Sequence, residues 1–197
     1  MPKLGMAPIR RQQLIDATIA AIGESGFSNI TVSRISQVAG VSAGIIHHYF
    51  GGKNELLEAA MRSLLRDLHA QTLAHLAGLH DSESRVRAII DANFTPSQFS
   101  PQAVTAWLAF WSQAPYVPAL RRLQRVNAAR LQSNLLVELR RLLPDPEAKR
   151  TAAWVSALID GLSLRSALAG GTLDGEAARA LVHAQLDCIL SRSTDSH

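Results

Sequence analysis

Two adjacent histidines, His47 and His48, are followed by Tyr49, Phe50, two glycines and Lys53. Imidazole can accept a proton, ligate a metal, or bond phosphate and base edges. Spacing sorts these chemistries. Neighbouring helical residues point about 100° apart, so the two rings do not converge on one ion. A helical metal pair sits at i and i+4, and no carboxylate or cysteine stands at a suitable distance, so no metal site is expected. For an enzyme, either histidine would need a nucleophile and an orienting carboxylate, and none is close in sequence. No enzymatic activity and no cofactor are expected, although catalytic partners distant in sequence would restore that reading. The third chemistry fits better. Ser42, Ala43 and Gly44 are small enough for close approach to a groove, and Lys53 follows a glycine break at a helix start, where free N–H groups and an ammonium clamp phosphate.

A second group of side chains lies behind residue 100, where all three tryptophans fall. Trp107 and Trp111 are four apart and share a helix face. Trp154 precedes Asp160 by six positions, and Asn93 closes an earlier helical segment. Aromatic faces with one carboxylate suit a quaternary ammonium cation, which offers no ordinary hydrogen bond and is drawn to ring faces. Tryptophans at helical spacing are equally the packing of an ordinary core. Spacing does not choose between the two.

The elements that position these residues read as helices throughout, with no alternating strand. The fold class is all-α, with about nine helices: an N-terminal three-helix bundle with a helix-turn-helix, then a larger helical part. A first helix spans roughly 8 to 26, with Ile9, Leu14, Ile15, Ile19 and Ile22 as its buried stripe and Gly26 at its end. Thr31 caps a short second helix that turns Val32, Ile35 and Val38 inward. In "AGVS", Gly40 takes a left-handed turn and Ser42 caps a third helix from Ala43 to about Tyr49. A long fourth helix runs from Lys53 to about Gly78, and Ser82 or Ser84 caps the next.

Two short helices across a tight glycine turn are the pattern of a helix-turn-helix. Val32, Ile35, Val38, Val41 and Ile45 hold the pair inward. The free face then carries Ser42, Ala43, Gly44, Ile46, His47 and His48. Thr31 and Ser33 open the preceding helix, and Tyr49 and Lys53 supply backbone contacts. These are the expected DNA-binding residues. The expected ligand-binding residues are Asn93, Trp107, Trp111, Trp154 and Asp160. Residues 1–52 are expected to form the DNA-binding domain and 53–197 the ligand-binding and dimerisation domain.

The chain of 197 residues is 47% apolar and 18% charged, with net charge +4. A mild basic excess permits nucleic-acid binding without demonstrating it. The single cysteine excludes an internal disulfide and suits a reducing compartment. With no secretory signal and no apolar run of membrane-spanning length, a cytoplasmic protein with no membrane partner is expected. Six arginines of the long helix before "PDP" (121, 122, 125, 130, 140 and 141) read as a solvated face. "WVSALIDGLSLRSAL" and "ARALVHAQLDCIL" are apolar and dotted with small residues such as Ala157, Gly161 and Ala184. Two such helices from each of two chains can make a four-helix homodimer interface.

"TVSRISQVAGVSAGIIHHYFGGKNELL" resembles the DNA-binding segment of the TetR family of bacterial repressors, over residues 9 to 60. One departure is His47, where many members carry an aromatic residue. Further segments, among them "IRRQQLIDATIAAIG", "AWLAFWSQA" and "ALIDGLSLRSAL", resemble members that repress choline-to-glycine-betaine genes. The resemblance implies a homodimer on double-stranded operator DNA, released by a small-molecule inducer, choline or betaine aldehyde. Two alternatives stay open: a regulator of an efflux gene that senses larger lipophilic or cationic compounds, and a helical interaction module that never meets DNA.

Overall fold

The computed structural model describes residues 6–26, 30–170 and 173–194, and places ten helices and no strand among them. The first, α1 (Met6–Ser25), buries Leu14, Ile15, Ala21 and Ile22. Ile9, expected inside, is exposed; the buried stripe of α1 starts at Leu14, where the first core begins. Gly26, at φ +69°, closes the helix by donating its N–H to the Ile22 carbonyl at 2.9 Å.

Thr31 caps α2 (Val32–Ala39) by accepting the Arg34 N–H at 3.1 Å. Gly40, at φ +64°, ends it, and α3 (Ala43–Phe50) follows after three residues. The long α4 (Lys53–Leu76) leads away from this trio. Helix α5 (Ser82–Ala92) is capped by Asp81, whose carboxylate accepts the Ser84 N–H at 2.7 Å, and not by Ser82 or Ser84. That bond pulls the Asp81 carboxyl below its ordinary range, since a charged acceptor suits the positive end of a helix.

The sequence reads a plain break at Pro96, but the chain makes a single turn there, α6 (Pro96–Phe99), before α7 (Pro101–Gln113). This turn accounts for the tenth helix. The rear is completed by α8 (Pro118–Leu139), α9 (Asp145–Leu168) and α10 (Gly175–Thr194). No helix among the described residues is long and apolar enough to cross a membrane.

Two apolar cores hold these elements. The first joins α1 to α4 with Trp107 and Phe110 of α7 and Leu120 of α8. The second joins α5, α8, α9 and α10 around Ile90, Leu135, Val155 and Val182, with Val104 of α7. Helix α7 therefore belongs to both. Each fully buried Leu, Ile or Phe contributes about 1.5–3 kcal/mol. Glu138, 3% exposed, adds a polar lock: it pairs with Arg85 at 2.6 Å and accepts the Ser82 hydroxyl at 3.1 Å, tying α8 to α5.

Candidate functional site

The front site is built by the turn between α2 and α3. Gly40 donates to Gln37 and Val41 donates to Ser36, which satisfies the end of α2 within a single turn. Ser42 stands at the N-cap of α3, but its hydroxyl makes no capping bond and stays exposed. Ala43 and Gly44 are also exposed, and nothing approaches the position of a Cβ on Gly44 closer than the Ser42 hydroxyl at 3.9 Å. The first turn of α3 is thus a low, open surface; the Ile45 N–H is spent on the Ser42 carbonyl at 3.0 Å, and no side chain caps the Ala43 and Gly44 N–H groups.

Thr31, Ser33, His47 and His48 are exposed beside it. The His47 Nδ1 lies 3.1 Å from the Gly51 carbonyl, which leaves Nε2 outward. His48 meets Tyr49 edge to face, with ring centroids 5.1 Å apart. Tyr49 is half-buried against the first core, and its hydroxyl has no partner among the described residues. Lys53 is the first residue of α4, and its N-cap Gly52 offers no side-chain bond to the helix's first N–H groups. Glu55 folds back toward Gly52 and competes for that end. Arg11 is spent internally: it donates to the Tyr49 carbonyl and lies 4.4 Å above the Phe50 ring.

Ile46 is a correction. It was expected on the free face, but it has no exposed surface and packs in the first core. Ile46 and Phe50, at i and i+4, are the buried ridge of α3, and Ile45 rides at its edge, half-buried. A residue in that ridge touches no DNA.

The rear site is a narrow cavity, partly open to solvent and walled by six helices. Trp107 and Trp111 line it from α7, with rings 5.8 Å apart and inclined by 31°. Asn93 lines it from α5, Gln98 from α6 and Asp160 from α9; α4 adds Leu65, Leu68, His69 and Thr72, and α8 adds Asn127 and Arg130. Four of the five expected ligand residues therefore meet. Trp154 is the correction: it does not line the cavity and is exposed on another face of α9. Six helical positions turn by about 240° from Asp160, which carries it away.

Asp160 has no hydrogen bond or ion pair among the described residues. Part of its surface is exposed, yet the protein atoms around it strip hydration from its carboxyl and push it up to about 6. Leu65, His69, Asn127 and Arg130 also line an adjoining groove with Arg62 and Arg66, whereas Asp160 and the tryptophans do not. The cavity is thus basic towards that groove and carboxylate-bearing elsewhere. Arg130, read from sequence as a solvated arginine, belongs to this wall. Gln98 and His69 carry no periodic signal that would have singled them out. Among the described residues, no group of three or more His, Cys, Asp or Glu is placed to hold a metal ion.

Residues 14–60 match the family model for bacterial regulatory proteins of the tetR family. Residues 82–191, more than half of the chain, match that for the C-terminal part of BetI-type transcriptional repressors. The chain belongs to the TetR family. It is a transcriptional repressor of that family with a BetI-type C-terminal part. The HTH-type transcriptional regulators BetI of Burkholderia thailandensis and Burkholderia cenocepacia are each 50% identical to it over 192 residues, covering 97% of this chain and 98% and 99% of theirs. Among solved structures, a transcriptional regulator from Rhodococcus sp. Rha1 superposes with TM-score 0.80 at 24% identity, over 93% of this chain and 97% of its own. A protein of Saccharomonospora viridis, solved in complex with choline, does so with TM-score 0.80 at 21% identity, over 90% and 95%. At these identities the structural likeness speaks to the TetR fold.

Proposed function

We propose that this TetR-family repressor controls choline-to-glycine-betaine genes and leaves its operator when choline or betaine aldehyde enters the rear cavity. The observation that carries the reading is the convergence of Trp107, Trp111, Asn93 and the unpaired Asp160 on one cavity. Ring faces and a carboxylate are what a quaternary ammonium group binds. The BetI relatives, and the choline bound to the Saccharomonospora protein, support the same choice.

On the DNA side, Thr31, Ser33, Ser42, Ala43, Gly44, His47, His48, Tyr49 and Lys53 form the reading surface. In a dimer, two copies of α3 enter successive major grooves about 34–36 Å apart. The dimer forms through α9 and α10. Ala153, Trp154, Ala157, Leu164 and Leu168 are exposed along α9, and Ala177, Leu181, Ala184 and Cys188 along α10. An apolar stripe of this extent on both last helices suits a partner copy, and Trp154 finds its place there. Sedimentation equilibrium is expected to give twice the 21.3 kDa of one chain. A single-chain mass at micromolar concentration would count against the interface.

Coupling follows the two helices that serve both sites. Helix α4 begins at Lys53 and reaches the cavity at Leu65, a dozen residues or about 18 Å on. Helix α7 carries both cavity tryptophans and lies so close to α1 that a Cβ on Gly23 would stand 3.2 Å from Gln102. An occupant that shifts either helix changes how the two α3 helices are spaced, and it need only bind the two arrangements differently. The test is a gel shift on the DNA upstream of this chain's own gene. Retardation is expected without ligand and its loss with millimolar choline. Retardation unaffected by choline but relieved by a lipophilic cation would transfer the reading to an efflux regulator.

A further inference from the structure

We infer that Gln98 reads an oxygen atom on the occupant of the cavity, so that the site selects a quaternary ammonium compound bearing an acceptor oxygen over the bare cation. This rests on the proposed quaternary-ammonium site.

Gln98 sits on α6, is 3% exposed, and lines the cavity beside Trp107. The Trp107 Nε1–H donates to its Oε1 at 3.2 Å. An indole nitrogen only donates, so this bond determines which way the amide faces: oxygen to the tryptophan, nitrogen away from it. That nitrogen, Nε2, is buried and has no acceptor among the described residues. A buried donor left unserved is costly, and native structures rarely keep one without a use.

Other polar groups of the cavity do not share this condition. The Asn93 Nδ2–H donates to the Ile89 carbonyl and the Thr72 hydroxyl donates to the Leu68 carbonyl, each at 2.8 Å. Asn127 and Asn134 remain half-open to solvent. Gln98 alone among these holds a buried donor with no acceptor among the described residues. An occupant that parts the wall beside it supplies the acceptor, and the relief favours the occupied state.

Gln98 adjoins the N–H edge of the same indole, so the two-carbon arm of a cation held at Trp107 is the part that would meet it. A hydroxyl and a carbonyl oxygen both accept from an N–H, so one amide serves an alcohol and an aldehyde alike. An alkyl group at that position leaves the donor orphaned.

Calorimetric titration of the full-length protein at pH 8 with choline and with ethyltrimethylammonium, which replaces the hydroxyl by hydrogen, tests this. The wild type is expected to prefer choline by about tenfold. Gln98→Met is expected to bring the ratio near one by weakening choline alone. Gln98→Glu removes the donor but keeps the acceptor that Trp107 needs, and is expected to collapse the ratio as well; thermal unfolding establishes that the variants are folded. A wild type without preference, or a preference unchanged in a folded variant, overturns the role of Gln98 and leaves the cation site standing. Binding of neither cation by the wild type overturns the cation site and this inference with it.

Discussion

Replacing Tyr49 by Phe and Lys53 by Met in both protomers is expected to weaken operator binding about a thousandfold and leave the fold intact. The estimate counts four lost contacts per dimer at about 1 kcal/mol each. The fold survives for a structural reason. The Tyr49 ring packs half-buried on the first core and meets His48 edge to face, and both contacts outlast loss of a hydroxyl that has no partner among the described residues. Lys53 opens α4 with no ion pair among the described residues, and methionine continues a helix as readily. The salt dependence separates a phosphate contact from a structural role. Removing one lysine–phosphate contact per protomer should lower the slope of log K against log salt by about two. Specific binding that survives the double change with an unaltered slope would remove both residues from the interface.

The front of the molecule was largely legible because local chemistry punctuates it. Thr31, Gly40 and Gly51 mark the ends of α2 and α3 by capping and by positive φ, which need no knowledge of the rest of the chain. The misplacement of Ile46 shows the limit of that logic. A helix of eight residues with two adjacent isoleucines has two self-consistent buried faces about 100° apart, and only packing on the first core decides for Ile46 and Phe50. Trp154 failed for a related reason. Helix α9 is apolar on two sides, one covering Val155 and Ile159 of its own core and the other left outward. A pattern apolar all round does not say which side a tryptophan serves. Gln98 was invisible altogether. Its partner Trp107 is nine residues on, across the start of α7, and the isolated turn that carries Gln98 has no period to read.

Asp160→Asn is expected to weaken choline binding about thirtyfold at pH 8 and to abolish its pH dependence near pH 6. A charge pair about 4 Å apart at an effective dielectric of 20 is worth about 4 kcal/mol before desolvation, and about half of that surviving gives the thirtyfold figure. The direction with pH follows from the carboxyl, pushed up to about 6 from 3.8 by the cavity walls. A carboxyl raised in the folded state favours folding fully below its unfolded value and loses that contribution as pH rises through the folded one. The empty wild type should therefore lose stability relative to Asp160→Asn between about pH 4 and pH 6 and run parallel to it above. Choline acts in the opposite sense, because a bound cation favours the ionised form. Its affinity should climb as pH rises through 6 and then level off. The slope of the wild type alone does not name the residue that carries the proton. The variant does assign it: a flat affinity profile together with disappearance of the acid-side stability gain requires the titrating group to be Asp160. An undiminished slope in Asp160→Asn would remove Asp160 from the cation site.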